Sequence, residues 1–102
     1  MLNPIITNNL SQIKTLCQKH FVKELYVFGS ATTDNFKADS DVDFLVEFNE
    51  DAFANYATNY FDLHNQLKNI VKRNVDLVTV LMVKNKLFKN KLDKSKQAIF
   101  VS

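Results

Sequence analysis

Two short apolar runs, residues 41–48 (DVDFLVEF) and 75–81 (VDLVTVL), flank a long stretch whose hydrophobic residues repeat with a different period. In the first run Val42, Phe44, Val46 and Phe48 alternate with Asp41, Asp43, Leu45 and Glu47, the two-residue period of a strand. In the stretch between the runs, Phe53, Tyr56, Ala57, Tyr60, Leu63, Leu67, Ile70 and Val71 fall near one stripe of a helix that ends at Lys72-Arg73-Asn74. The second run is rich in β-branched residues and reads as another strand. A strand, a helix and a strand in this order form a crossover of nearly fixed hand, which makes the two strands parallel neighbours or near-neighbours.

The rest of the chain extends this unit. Leu10, Ile13, Cys17 and His20, with Ile6 and Leu16 beside them, recur at helical spacing after the cap-forming stretch Thr7-Asn8-Asn9 and predict a first helix over 8–20. Leu25-Tyr26-Val27-Phe28 predicts a short buried strand stopped by Gly29, the only glycine. Residues 30–40 are polar and turn-rich, with Phe36 as an anchor into the core. A helix over 84–93 and a short apolar end, Ala98 to Val101, close the pattern. The whole is an α/β (α+β) domain with a small mixed sheet flanked by helices, and 102 residues are one domain's length.

No window holds the roughly 20 apolar residues of a membrane span, and Met1-Leu2-Asn3-Pro4 is not a signal-peptide start, so a soluble cytoplasmic protein without membrane contact is expected. The lone Cys17 can form no internal disulfide. Residues 1–83 carry seven Lys/Arg against ten Asp/Glu, whereas residues 84–102 carry six Lys against one Asp. These lysines, unaccompanied by arginine, read as a solvated helical face rather than a nucleic-acid surface. His20 and His64 read as helix-boundary or surface residues, and Tyr56, Tyr60 and Phe61 as packing groups.

Asp41, Asp43 and Asp76 are harder to place in a merely structural role. A carboxylate in an apolar strand is costly unless it is paired, hydrogen-bonded or bound to metal. Strand alternation points Asp41 and Asp43 the same way, and the crossover can bring Asp76 beside them at one sheet edge. Oxygen ligands without His or Cys suit Mg²⁺ or Mn²⁺, which typically combine one or two carboxylates with phosphate oxygens. Gly29-Ser30 supplies a complementary part, since glycine admits close approach of a phosphate and the following turn offers N–H groups and a hydroxyl. A carboxylate cluster beside a phosphate cradle suits phosphoryl or nucleotidyl transfer.

Gly29-Ser30, ten intervening residues, then Asp41-Val42-Asp43 resembles the signature of the polymerase-beta-like nucleotidyltransferases. With "LYVFGS", "SDVDFLVEF" and "NVDLVTV" in order, nearly the whole chain resembles their minimal members, the antitoxins that accompany HEPN-domain toxins. The resemblance implies that Asp41 and Asp43 bind two metal ions, that Asp76 is the third catalytic carboxylate, and that Gly29 and Ser30 bind the ATP triphosphate. It further implies transfer of AMP to a tyrosine of a HEPN toxin, possession of a protein partner, and assembly with it. Many relatives carry Arg-x-Arg-Gly after the Gly-Ser pair, whereas this chain has Ala31-Thr32-Thr33-Asp34. Lys72 and Arg73 are the nearby cations that could replace those arginines. Two other functions fit the same chain: a non-catalytic antitoxin that binds its toxin stoichiometrically, and a small-molecule nucleotidyltransferase completed by a partner chain.

Overall fold

The computed structural model describes residues 2–102. The expected first helix is two. Asn3 caps α1 (Pro4–Thr7) by accepting from the Ile5 N–H, and Pro4 occupies a first-turn position where its missing N–H costs nothing. Asn9 then leaves helical geometry (φ −120°, ψ 12°), its side-chain amide donating to the Ile5 carbonyl, before α2 runs from Leu10 to Lys19. The asparagine pair read as a cap is therefore the break between two helices.

Strand β1 spans Val22–Phe28, longer than its apolar core suggests because Val22 pairs with Phe48 at the far end of the hairpin. A 3-10 turn, Gly29–Thr32, and the polar loop lead to β2, Val42–Phe48. Another 3-10 turn, Glu50–Asn55, precedes α3, Tyr56–Val71. It stops at Lys72, whose φ of +57° is the left-handed conformation usually left to glycine. Strand β3 is Val75–Thr79, shorter than the apolar run: Val80, Leu81 and Met82 form an exposed 3-10 turn. Helix α4 is Lys86–Ser95, capped by Asn85, and the apolar end is an edge strand, β4, Gln97–Val101.

The sheet order is β3-β2-β1-β4. β2 and β3 are parallel, as the crossover requires, and β1 lies antiparallel to both β2 and β4. Helices α1, α2 and α3 cover one face, where Phe44, Ile6, Ile13, Leu25, Leu63 and Leu67 are fully buried. Each such side chain contributes about 1.5–3 kcal/mol. Phe36 packs against this core as expected, whereas Phe53 and Ala57, assigned to the α3 stripe, are exposed.

His20 ends α2, as a boundary residue should, but it is buried rather than superficial. Its Nδ1 contacts the Leu16 carbonyl at 2.8 Å and its Nε2 the Asp62 carboxylate at 2.5 Å, while Asn59 donates to the His20 carbonyl. It ties α2 to α3. His20 and Gln66 hold the Asp62 carboxyl below the usual carboxylate range. On the opposite face of the sheet α4 covers a smaller cluster of Phe28, Leu45 and Leu92, with Phe88 edge-on to Phe28 at 6.2 Å between ring centres.

Candidate active site

Strand register determines the site. Asp43 is the cross-strand partner of Phe28 on β1 and of Asp76 on β3. Neighbouring strands lie about 4.8 Å apart, so Asp43 and Asp76 stand side by side on one face, and Gly29 follows directly after Phe28. Asp41 precedes β2, where the Val42 N–H donates to the Asn74 carbonyl at 3.0 Å and ties that strand entrance to the start of β3. Asp41 and Asp76 are exposed and Asp43 is half-buried. The structure thus brings Asp41, Asp43 and Asp76 to the same end of the sheet as Gly29 and Ser30.

Gly29 is required here for two reasons. Its φ is +73°, and a Cβ at this position would fall on the Oδ2 of Asp43. The glycine thus makes room for the Asp43 carboxylate, a steric role additional to the phosphate approach expected from sequence. The turn it opens is held by Thr32, whose hydroxyl donates to the Gly29 carbonyl at 2.7 Å, and by the Thr33 N–H, which donates to the Ser30 carbonyl at 3.0 Å. Among the described residues the Ser30 hydroxyl makes no hydrogen bond within the protein.

Electrostatically the cluster is uncompensated. Among the described residues none of the three aspartate carboxylates has an ion pair or an intramolecular hydrogen bond. Burial first, then the charges of Asp76 and Asp41, push the Asp43 carboxyl above its ordinary value. The carboxylates are close enough to repel one another, yet among the described residues no three His, Cys, Asp or Glu side chains are gathered as a metal cage. Such an open, all-oxygen set fits a divalent cation that brings phosphate ligands with it, the usual habit of Mg²⁺.

Arg73 holds the loop that leads into the site. Its Nη1 donates to the carbonyls of Lys37, at 2.6 Å, and Ser40, at 3.2 Å, and its guanidinium lies 4.3 Å from the centre of the Phe36 ring. One side chain therefore fastens the loop leading into Asp41. Beside it an open cleft of about 530 Å³ is lined by Asp39, Ser40, Asp41, Lys68, Lys72 and Arg73. Tyr60 and His64, read as packing and surface residues, both hydrogen-bond to β3, on either side of Asp76. Their four-residue spacing on one helix was the available signal. Burial, then Asp76, then Tyr56 raise the Tyr60 phenol.

Residues 11–102 match the family described as polymerase beta nucleotidyltransferase. This chain belongs to that family. A protein of Methanocaldococcus jannaschii named a putative protein adenylyltransferase is 30% identical over 92 residues, 82% of this chain and 91% of the relative. The fold is that of a solved putative minimal nucleotidyltransferase, with a TM-score of 0.77 at 24% identity over 95% of both chains. It is also found in the complex of a tri-AMPylated Shewanella oneidensis HEPN toxin with its MNT antitoxin (TM-score 0.62, 16% identity, 94% of this chain and 72% of that one). The nucleotidyltransferase fold and activity class expected from sequence are those of the family. No helix among the described residues is long and apolar enough to cross a membrane.

Proposed function

We propose that this nucleotidyltransferase is a cytoplasmic protein adenylyltransferase that moves AMP from ATP to a tyrosine hydroxyl of a HEPN-domain toxin, silencing it as an antitoxin. The observation that carries the reading is the register of Asp43 with Asp76, on one face beside Gly29. Their uncompensated charge is what a cation-bound nucleotide would neutralise. The name of the Methanocaldococcus relative and the AMPylated state of the Shewanella toxin support the choice of acceptor.

In this reading Asp41 and Asp43 hold Mg²⁺ or Mn²⁺, with Asp76 as the third ligand. When bound, the metal neutralises the triphosphate and makes the acceptor hydroxyl more acidic. Gly29 and Ser30 receive the triphosphate through backbone N–H groups and the Ser30 hydroxyl. Asp76 favours loss of the tyrosine proton. The tyrosine oxygen forms a bond to the α-phosphorus as the bond to the bridging oxygen breaks, and pyrophosphate leaves. The residues contribute mainly position and charge, as is usual in transfers at phosphorus.

The test is the intact mass of the HEPN-type partner after incubation with this chain, ATP and Mg²⁺, run beside an Asp41→Asn/Asp43→Asn variant. A gain of one or more adenylyl groups that the variant abolishes is the expected result. An unmodified partner that co-purifies with both forms would replace enzymatic silencing by stoichiometric binding.

A further inference from the structure

Among the described residues β3 is an edge strand, bonded to β2 on one side only. Its outward carbonyls would ordinarily face solvent or invite another strand. Those of Val75 and Leu77, the residues flanking Asp76, are instead both taken by α3. The Tyr60 hydroxyl donates to the Leu77 carbonyl at 2.5 Å, and the His64 Nε2 donates to the Val75 carbonyl at 2.8 Å. Tyr60 and His64 are four residues apart, one helical turn, and so rise from the same side of α3. Carbonyls two residues apart along a strand point the same way, so a donor pair one turn apart can bracket a single residue.

The bracketed residue needs this help. Asp76 is exposed and has no intramolecular partner among the described residues, so only its backbone fixes where its carboxylate stands. β3 is five residues long and pairs on one side, the kind of strand that frays. Asp43, by contrast, is held in a central strand between two neighbours.

We infer that Tyr60 and His64 are positioning residues for Asp76: by fastening the backbone on both sides of it to α3, they hold the third carboxylate in register with Asp43 and so set the affinity of the site for its divalent cation. The inference rests on Asp76 being a metal-binding residue. Neither side chain needs to touch the metal or the nucleotide.

The probe is Mn²⁺, titrated by electron paramagnetic resonance in the presence of a non-hydrolysable ATP analogue. Tyr60→Phe removes one oxygen atom, His64→Ala removes the second donor, and His64→Gln offers an amide donor in place of the imidazole. Loss of an outer support of this kind typically weakens metal binding 10- to 100-fold. The double variant Tyr60→Phe/His64→Ala should therefore bind Mn²⁺ about 10-fold more weakly. His64→Gln should recover most of the affinity lost by His64→Ala, and saturating Mn²⁺ should restore turnover. Wild-type affinity in the double variant, with weak binding by Asp76→Asn, would overturn the inference and leave the role of Asp76 standing. Wild-type affinity in Asp76→Asn itself would overturn that role and the inference with it. Should the double variant not fold, Tyr60→Phe alone carries the same comparison.

Discussion

Replacing Gly29 with alanine tests the contact between the only glycine and a site carboxylate. Two costs are separable. The backbone cost comes from φ +73°, where an L-residue loses about 1–2 kcal/mol. The steric cost comes from the new Cβ falling on the Asp43 Oδ2, which must rotate away or push β1 from β2, at about 1–2 kcal/mol for an off-rotamer side chain in a packed setting. The Asp43 Cβ is 3.6 Å from the same point, an ordinary contact, so the steric cost belongs to the carboxyl group. Gly29→Ala should thus destabilise wild type by about 2–4 kcal/mol but an Asp43→Ala background by only about 1–2 kcal/mol. For a domain of this size the full loss lowers the melting temperature by roughly 10–20 °C. Urea unfolding of the four proteins in a double-mutant cycle, with EDTA present, measures the coupling. Equal costs in the two backgrounds would show that the glycine serves φ alone. A cost below about 0.5 kcal/mol in wild type would refute both parts.

The Asp43 carboxyl makes a second prediction. Because its value is raised in the folded state, folding favours the protonated form; the ionised group costs stability at pH 7, and that cost fades as pH falls towards the unfolded value near about 4. Asp43→Asn should unfold at a higher temperature than wild type at pH 7 and show no gain at pH 3, without metal at either pH. The open carboxylate set predicts weak Mn²⁺ binding alone and at least 10-fold tighter binding with an ATP analogue, by the same resonance titration; equal affinities would mean a site complete without phosphate. Arg73→Ala frees the 33–41 loop from two hydrogen bonds and the Phe36 stack, costing about 1–3 kcal/mol, and limited proteolysis should find new cleavage within it. Burial pushes the Cys17 thiol up to about 12, so native protein at pH 8 should resist alkylation that the urea-unfolded chain undergoes at once.

The β2-α3-β3 unit was legible because its two hydrophobic periods are long and distinct, and with it the placement of Asp43 beside Asp76. Strand ends were less so. Val80, Leu81 and Met82 continue an apolar β-branched run, yet pairing with β2 ends at Val46 opposite Thr79, and local pattern cannot report where a partner strand stops. β4 was hidden for a related reason: it is short, follows a run of lysines, and buries only Ile99. Lys72 and Phe21 adopt positive φ without the glycine that would announce it. Spacing singled out the candidate site residues, but the packing of Asp43 against Gly29 depends on a cross-strand register that no spacing encodes. Arg73, Tyr60 and His64 act through backbone carbonyls, which every residue possesses, so their roles leave little trace in the sequence around their targets.

The pairing of β1 with β4 also matters during synthesis. β1 reaches its second neighbour only through residues some 70 positions later in the chain, which at roughly 5–20 residues per second separates the emergence of the two strands by several seconds. Through that interval Val22–Phe28 can find β2 but has one unpaired edge, carrying Leu25, Val27 and Phe28. A ribosome stalled in the lysine-rich segment before Gln97 would hold out a nascent chain with the aspartates already translated and a sticky strand uncovered. An unpaired strand edge and exposed apolar surface are what make unfinished folds prone to aggregate, so the last five-residue strand also closes the edge that the rest of the chain leaves open.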